Sequence, residues 1–176
     1  MFEMSKDYSS ATHVAGAMVN PDQKILLVKQ TMNGEWSLPK GKIEDIDHIA
    51  PRAERGVLDH RIAALRREMF EETGLTPRDY VIVDGLGVAV RKSIGRGEDH
   101  GVAYYSGTTL RVNVGGMGPE TDEEITDLGF FKPLKTIELL NNPVDGAVID
   151  MHMYELMGLT PGVFGSIQEG YDTDAS

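Results

Sequence analysis

Three carboxylates in this chain have a spacing that could do chemistry. In the segment LDHRIAALRREMFEETGL (58–75), Glu68, Glu71 and Glu72 fall at i, i+3 and i+4. At about 100° per residue, that spacing sets them in one stripe along a helix. Leu58, Ile62, Leu65 and Met69 form a second, apolar stripe at intervals of four, three and four. Like charges at i, i+4 cost an isolated helix roughly a few tenths of a kcal/mol. Gly74 and Pro77 close the segment, so the carboxylates also sit near the dipole end that disfavours anions. A helix built for stability alone would carry Lys or Arg there. A bound hard cation offsets the cost, and Mg²⁺ suits because it takes oxygen ligands and bridges carboxylates to phosphate. Arg67 reaches Glu71 at i+4 and can fix one of the three.

The remaining elements must hold that helix against a core. HVAGAMVNPDQKILLVKQ (13–30) predicts two strands around an Asn20-Pro21-Asp22 turn, followed by a loop or short strand, NGEWSLPKGK (33–42). Residues 43–57 are polar around Pro51 and read as an irregular excursion. YVIVDGLGVAV (80–90) and VAYYSGTTLRVNV (102–114) predict longer strands, flanking a glycine- and cation-rich loop (91–101). Another strand is expected over 123–133 and a Pro-started helix over 143–157. The class is therefore α+β, with helices on a mixed sheet. Residues 1–11 read as a loose lead-in, 12–158 as one domain, and the Gly- and Asp-rich 159–176 as a tail.

Composition excludes several classes. With 40% hydrophobic and 26% charged residues among 176, the chain is neither disordered nor membrane-spanning. The absence of cysteine removes disulfides, zinc ribbons and thiol nucleophiles. No basic start followed by an apolar stretch marks a signal peptide, so the expected location is cytoplasmic. A net charge of −11 disfavours nucleic acid and anionic lipid as partners but admits a small phosphorylated substrate bridged by divalent cations. The five histidines form no metal-spaced pair. Gly41-Lys42 lacks the flanks of a P-loop, and Gly85-Leu86-Gly87 lacks the third glycine of a dinucleotide fingerprint.

The run Arg67-Glu68-Met69-Phe70-Glu71-Glu72-Thr73-Gly74-Leu75 resembles the Nudix hydrolase family box without a mismatch in its second half. His13-Val14-Ala15-Gly16-Ala17, the segment Trp36 to Lys42, and Phe130-Phe131 are similar to further parts of that family, so the likeness spans about residues 12–157. It implies an α/β/α sandwich around a mixed central sheet. The first half of the box departs from the pattern. The glycine most like the box glycine is Gly41, 26 residues before Arg67, so about 12 residues look inserted. Residues 45–57 read as that insertion, and Asp59, Asp47 and Glu44 compete for the first acidic position. The insertion suits a lid, a specificity loop or a homodimer contact.

The resemblance implies hydrolysis of a diphosphate linkage in a nucleoside diphosphate joined to another group, with Mg²⁺ or Mn²⁺ as cofactor. By position, Glu68 and Glu72 would be metal ligands, Glu71 a third ligand or a holder of metal-bound water, and Gly41 a carbonyl donor. Arg67 would orient a box carboxylate. The general base is expected at Glu123, with Glu120, Glu124 and Glu98 as alternatives. Lys40, Lys42, Arg91 and Arg96 are candidate phosphate contacts, and Tyr105 a candidate base-stacking residue. A (di)nucleoside polyphosphate is the expected substrate. Diphosphoinositol polyphosphates, oxidised nucleotides and 5′-triphosphate RNA are alternatives, and a non-catalytic nucleotide sensor is the competing class.

Overall fold

The computed structural model describes residues 3–49, 59–92, 98–121 and 123–158. Its strands are β1 (His13–Val19), β2 (Ile25–Gln30), β3 (Trp36–Ser37), β4 (Lys40–Lys42), β5 (Tyr80–Lys92), β6 (Asp99–Thr109) and β7 (Ile125–Phe131). The helices are α1 (Asp45–Ile49), α2 (His60–Thr73), α3 (Pro133–Leu139), α4 (Pro143–Met151) and α5 (Met153–Leu156). The described strands form one seven-stranded mixed sheet. β1 is its axis: it runs parallel to β6 along its whole length, and its other edge pairs antiparallel with β4 at the start and β2 at the end. β2 also carries β3 and β7, and β5 flanks β6.

Both faces of β1 are buried, so its sequence reads as a continuous apolar run. The two-residue period still sorts it. Val14 and Met18 pack toward α2 with Leu65 and Met69, whereas Ala15 and Ala17 pack toward α4 and α5 with Val148, Ile149 and Met153. β6 is sorted the same way, with Ala103 and Tyr105 on the α2 side and Val102 and Tyr104 on the α4 side. The expected α/β/α sandwich on a mixed sheet is therefore present. No helix among the described residues is long and apolar enough to cross a membrane.

Several local expectations need correction. Part of the excursion after Ile43 is regular: Asp45–Ile49 is α1. β6 stops at Thr109, because the chain beyond it wraps back over α2. Gly118 N–H donates to the Thr73 carbonyl at 3.0 Å and Glu120 N–H to the Glu71 carbonyl at 2.8 Å. These bonds satisfy C-terminal carbonyls of α2 that have no partner within the helix. The helix expected over 143–157 breaks at His152 into α4 and α5, and α3 follows β7 with Pro133 at its first position. The lead-in is docked rather than loose. Ser5 exchanges two backbone hydrogen bonds of 2.8 Å with Val88, and the Tyr8 ring lies 5.9 Å from that of Tyr105.

Candidate active site

α2 carries the carboxylates. Asp59 caps it, accepting from Arg61 N–H at 3.0 Å, and Gly74 ends it in the left-handed region at φ +76°. A side chain at Gly74 would place its Cβ 2.7 Å from the Gly118 carbonyl oxygen, so glycine is required both for the turn and for the loop seated on it. Between these ends, Glu68 and Glu72 are buried, 7% and 3% exposed, on the face turned to β4. The Lys40 N–H donates to Glu72 Oε1 at 2.8 Å. Gly41 lies so close that a Cβ there would fall 2.0 Å from the Glu68 carboxyl carbon.

Arg67 ties the carboxylates together. Its Nε and Nη2 donate to the two carboxylate oxygens of Asp47 at 3.0 Å each, a bidentate pair. Nη1 donates to Glu68 at 2.8 Å and to Glu71 at 3.3 Å, and Nη2 also reaches the Lys42 carbonyl at 2.8 Å. Asp47 is only 2% exposed. The three-way competition for the first acidic position thus resolves geometrically: α1 delivers Asp47 to Arg67, Glu44 is more distant at 3.7 Å, and Asp59 is committed to capping α2. Asp47 stands only six positions after Gly41 and 20 before Arg67, so a count from the glycine reaches it more directly than a count back from the arginine.

Burial is the main cause that raises the Glu68 carboxyl to about 7 and the Glu72 carboxyl to about 8. Arg67 opposes the first and the Lys40 N–H the second, while neighbouring glutamates, Glu71 and Glu124 for Glu68 and Glu68 and Glu124 for Glu72, add to the rise. Hydrogen bonds to Asp47 are the largest cause that holds Arg67 above its ordinary range.

A cleft of about 360 Å³ opens beside this cluster. Glu72 and Glu124 lie on its wall, as do Lys40, Lys42, Arg91, His13 and His100, with Trp36 and Asn142 at the side. One cavity therefore joins an acidic patch to a basic one. Desolvation, then neighbouring cations, lower His13 to about 4, so its ring is neutral near pH 7. Burial likewise lowers Lys40, with Arg91 adding and Asp145 and Glu72 opposing. Trp36 packs edge-on against Phe131 at 5.0 Å, and the Lys29 ammonium lies 5.9 Å from its ring.

The expected site residues are only partly gathered. Glu68, Glu72, Glu71, Arg67 and Gly41 come together, and Lys40, Lys42 and Arg91 line the cleft. Glu123 is exposed and absent from the cleft wall, whereas its neighbour Glu124 lines it and is anchored through its carbonyl to Thr31 N–H at 2.8 Å. Tyr105 requires correction: at 6% exposed it packs against Leu65 and Tyr8 on the α2 side of the sheet and has no access to the cleft. Strand parity separates Tyr104 from Tyr105 but does not say which face holds a cleft, and both are in fact core. Arg96 lies outside the described residues. His13 and His100, with rings 4.4 Å apart, were missed, because they meet only through the parallel pairing of β1 with β6.

Do these residues fit a divalent cation? Among the described residues, no three acidic or histidine side chains already converge into a cage. The donor chemistry nevertheless fits. Two buried carboxylates one turn apart, both pushed toward protonation, are a site short of positive charge, and hard oxygens are what Mg²⁺ takes. The Gly41 position adds room for backbone close to Glu68.

Comparison with known proteins bears on the family and the fold. The family model for the NUDIX domain matches residues 10–150. No curated protein matches the chain. Among solved structures, an Ap4A hydrolase binary complex from C. elegans is similar at 15% identity, covering 84% of this chain and 98% of its own, with a TM-score of 0.63. The NUDIX domain of Shewanella oneidensis NrtR complexed with ADP ribose is similar at 15% identity, 84% and 88% coverage, and a TM-score of 0.60. A NUDIX hydrolase from Nitrosomonas europaea follows at 20% identity, 81% and 88% coverage, and 0.57. At such identities these likenesses establish the fold.

Proposed function

The chain belongs to the NUDIX family, hydrolases acting on phosphoric anhydrides, and from that premise we propose a Mg²⁺- or Mn²⁺-dependent pyrophosphohydrolase whose substrate is a nucleoside or dinucleoside polyphosphate. One observation carries the reading: a single cleft joins the Glu72–Glu124 wall to Lys40, Lys42 and Arg91. A diphosphate needs both halves, metal-bridged carboxylates at the bond that breaks and fixed cations along the rest of the chain.

The roles follow from position. Glu68 and Glu72 would hold the metal, with Glu71 and the Gly41 carbonyl as further donors. A divalent ion held there would neutralise charge building on the phosphoryl oxygens and would make an attacking water more acidic. Arg67, clamped by Asp47, keeps Glu68 and Glu71 oriented. Glu124 faces the cleft, and we assign it the role of general base in place of Glu123. Lys40, Lys42 and Arg91 bind the non-reacting phosphates. Trp36 lines the same cleft, and an aromatic side chain there favours a nucleobase over an inositol ring.

The test is phosphate or nucleotide release from a substrate panel with Mg²⁺ and Mn²⁺. The panel includes diadenosine polyphosphates, nucleoside triphosphates, ADP-ribose and diphosphoinositols. Preferred cleavage of the adenosine polyphosphates supports the reading. Preference for diphosphoinositols would overturn the nucleotide assignment, and nucleotide binding without turnover would favour a sensor.

A further inference from the structure

Behind Arg91 lies a buried acid that the proposed reaction does not use. Asp145 stands in the first turn of α4 and is 1% exposed. Its Oδ1 accepts a hydrogen bond from the Tyr104 hydroxyl at 2.6 Å, and its Oδ2 lies 3.3 Å from Arg91 Nη2. Tyr104 is itself 1% exposed. Burial first, and then the Asp145 charge, hold its phenol far above the ordinary range, so the hydroxyl remains a donor. Three elements, β6, α4 and β5, thus supply a chain running from the core to the cleft wall. Burying a carboxylate is costly, and a bidentate or repeated partner usually offsets that cost. Here the helix N-terminus, one hydroxyl and one guanidinium share the task.

We propose that Asp145 is a positioning residue: held by Tyr104, it fixes the Arg91 guanidinium on the cleft wall, where that group binds the phosphate chain of the substrate. The inference rests on the reading of this cleft as a polyphosphate site. A plain counter-ion role makes the opposite prediction. Removing a negative charge beside an anion site strengthens anion binding by electrostatics alone. Removing a clamp weakens it, because Arg91 then has to be ordered by the ligand itself. The sign of the effect separates the two.

The experiment is calorimetric titration of the full chain with a non-hydrolysable, methylene-bridged nucleoside triphosphate in Mg²⁺, so that the site is complete and no turnover intervenes. Asp145→Asn keeps the shape and an acceptor for Tyr104 while removing the charge. It should weaken binding by about tenfold, comparable to Arg91→Ala, as expected when a buried ion pair no longer holds the guanidinium in place. The double variant should bind no worse than Arg91→Ala, because both changes remove one interaction. Binding that is unchanged or tighter in Asp145→Asn, or single effects that add, overturns the proposal while leaving the cleft assignment intact. Failure of the unaltered protein to bind this analogue in Mg²⁺ overturns the cleft assignment instead. Should Asp145→Asn not fold, Tyr104→Phe carries the test: weaker binding supports the clamp, and wild-type affinity overturns it.

Discussion

Arg67 and Asp47, 20 positions apart in sequence, meet in a two-pronged ion pair with both N–O distances at 3.0 Å. That pair joins α1 to α2 and fixes the guanidinium from which Glu68 and Glu71 are held. Asp47→Ala leaves Arg67 half-buried without its main partner. The change should cost about 2–3 kcal/mol, the range for buried charged hydrogen bonds. Asp59→Ala removes a helix cap and a part-exposed ion pair with Arg61 at 2.7 Å and should cost less, about 1–2 kcal/mol. Urea unfolding of the two variants checks the order. A larger loss in Asp59→Ala would mean that the cap, not the pair, organises this end of α2.

Gly41→Ala tests the close approach of β4 to Glu68. The added carbon would fall 2.0 Å from the Glu68 carboxyl carbon, so either the carboxylate or the strand must move. Turnover should drop by about a hundredfold or more, since small misplacements of a catalytic group have effects of that order. Circular dichroism should stay close to wild type. Full turnover would show that Glu68 can move aside without consequence.

The pH dependence has a definite sign. In the fold, Glu68 and Glu72 titrate at about 7 and about 8, above the ordinary 4.5. Folded protein therefore holds these protons more tightly than unfolded protein does. The stability they contribute is complete below about pH 4.5 and is lost as pH rises through about 8. Mg²⁺ competes with the same protons. Melting scans with EDTA and with Mg²⁺ should differ little near pH 6 and by several degrees above pH 8, and turnover should rise over the same interval. A metal-induced shift independent of pH would contradict this.

Gly74→Ala probes the loop seated on the end of α2. At φ +76°, a Cβ both strains the backbone and meets the Gly118 carbonyl oxygen at 2.7 Å. A loss of about 1–2 kcal/mol follows from the left-handed conformation alone. Because the displaced loop leads to Glu124, turnover should fall as well. Stability loss without any change in turnover would remove Glu124 from the catalytic assignment.

Much of this was legible in the sequence because the signals are local. The carboxylate stripe, its Gly74 stop and the reach of Arg67 to Glu71 all lie within one helix, where spacing determines geometry. Asp47 was ambiguous because an insertion separates it from Arg67. Counting back from Arg67 crosses the inserted residues, whereas counting forward from Gly41 does not once α1 (Asp45–Ile49) is taken out of the stretch read as inserted. Tyr105 and Glu123 illustrate a different limit. Alternation on a strand or its edge says that neighbours diverge, but tertiary packing decides which one reaches the cleft. His13 with His100, and Asp145 with Arg91, come from strands and helices far apart in the chain, so no spacing rule could have paired them.

The central claim is that Glu68 and Glu72 gather a divalent cation, which then takes up the diphosphate. A crystal soaked in Mn²⁺ and measured for anomalous scattering tests it directly. The account predicts a strong peak between those two carboxylates and Gly41, lost in Glu72→Gln. An unaltered crystal with no peak there, and with Glu68 still bonded to Arg67, would contradict it.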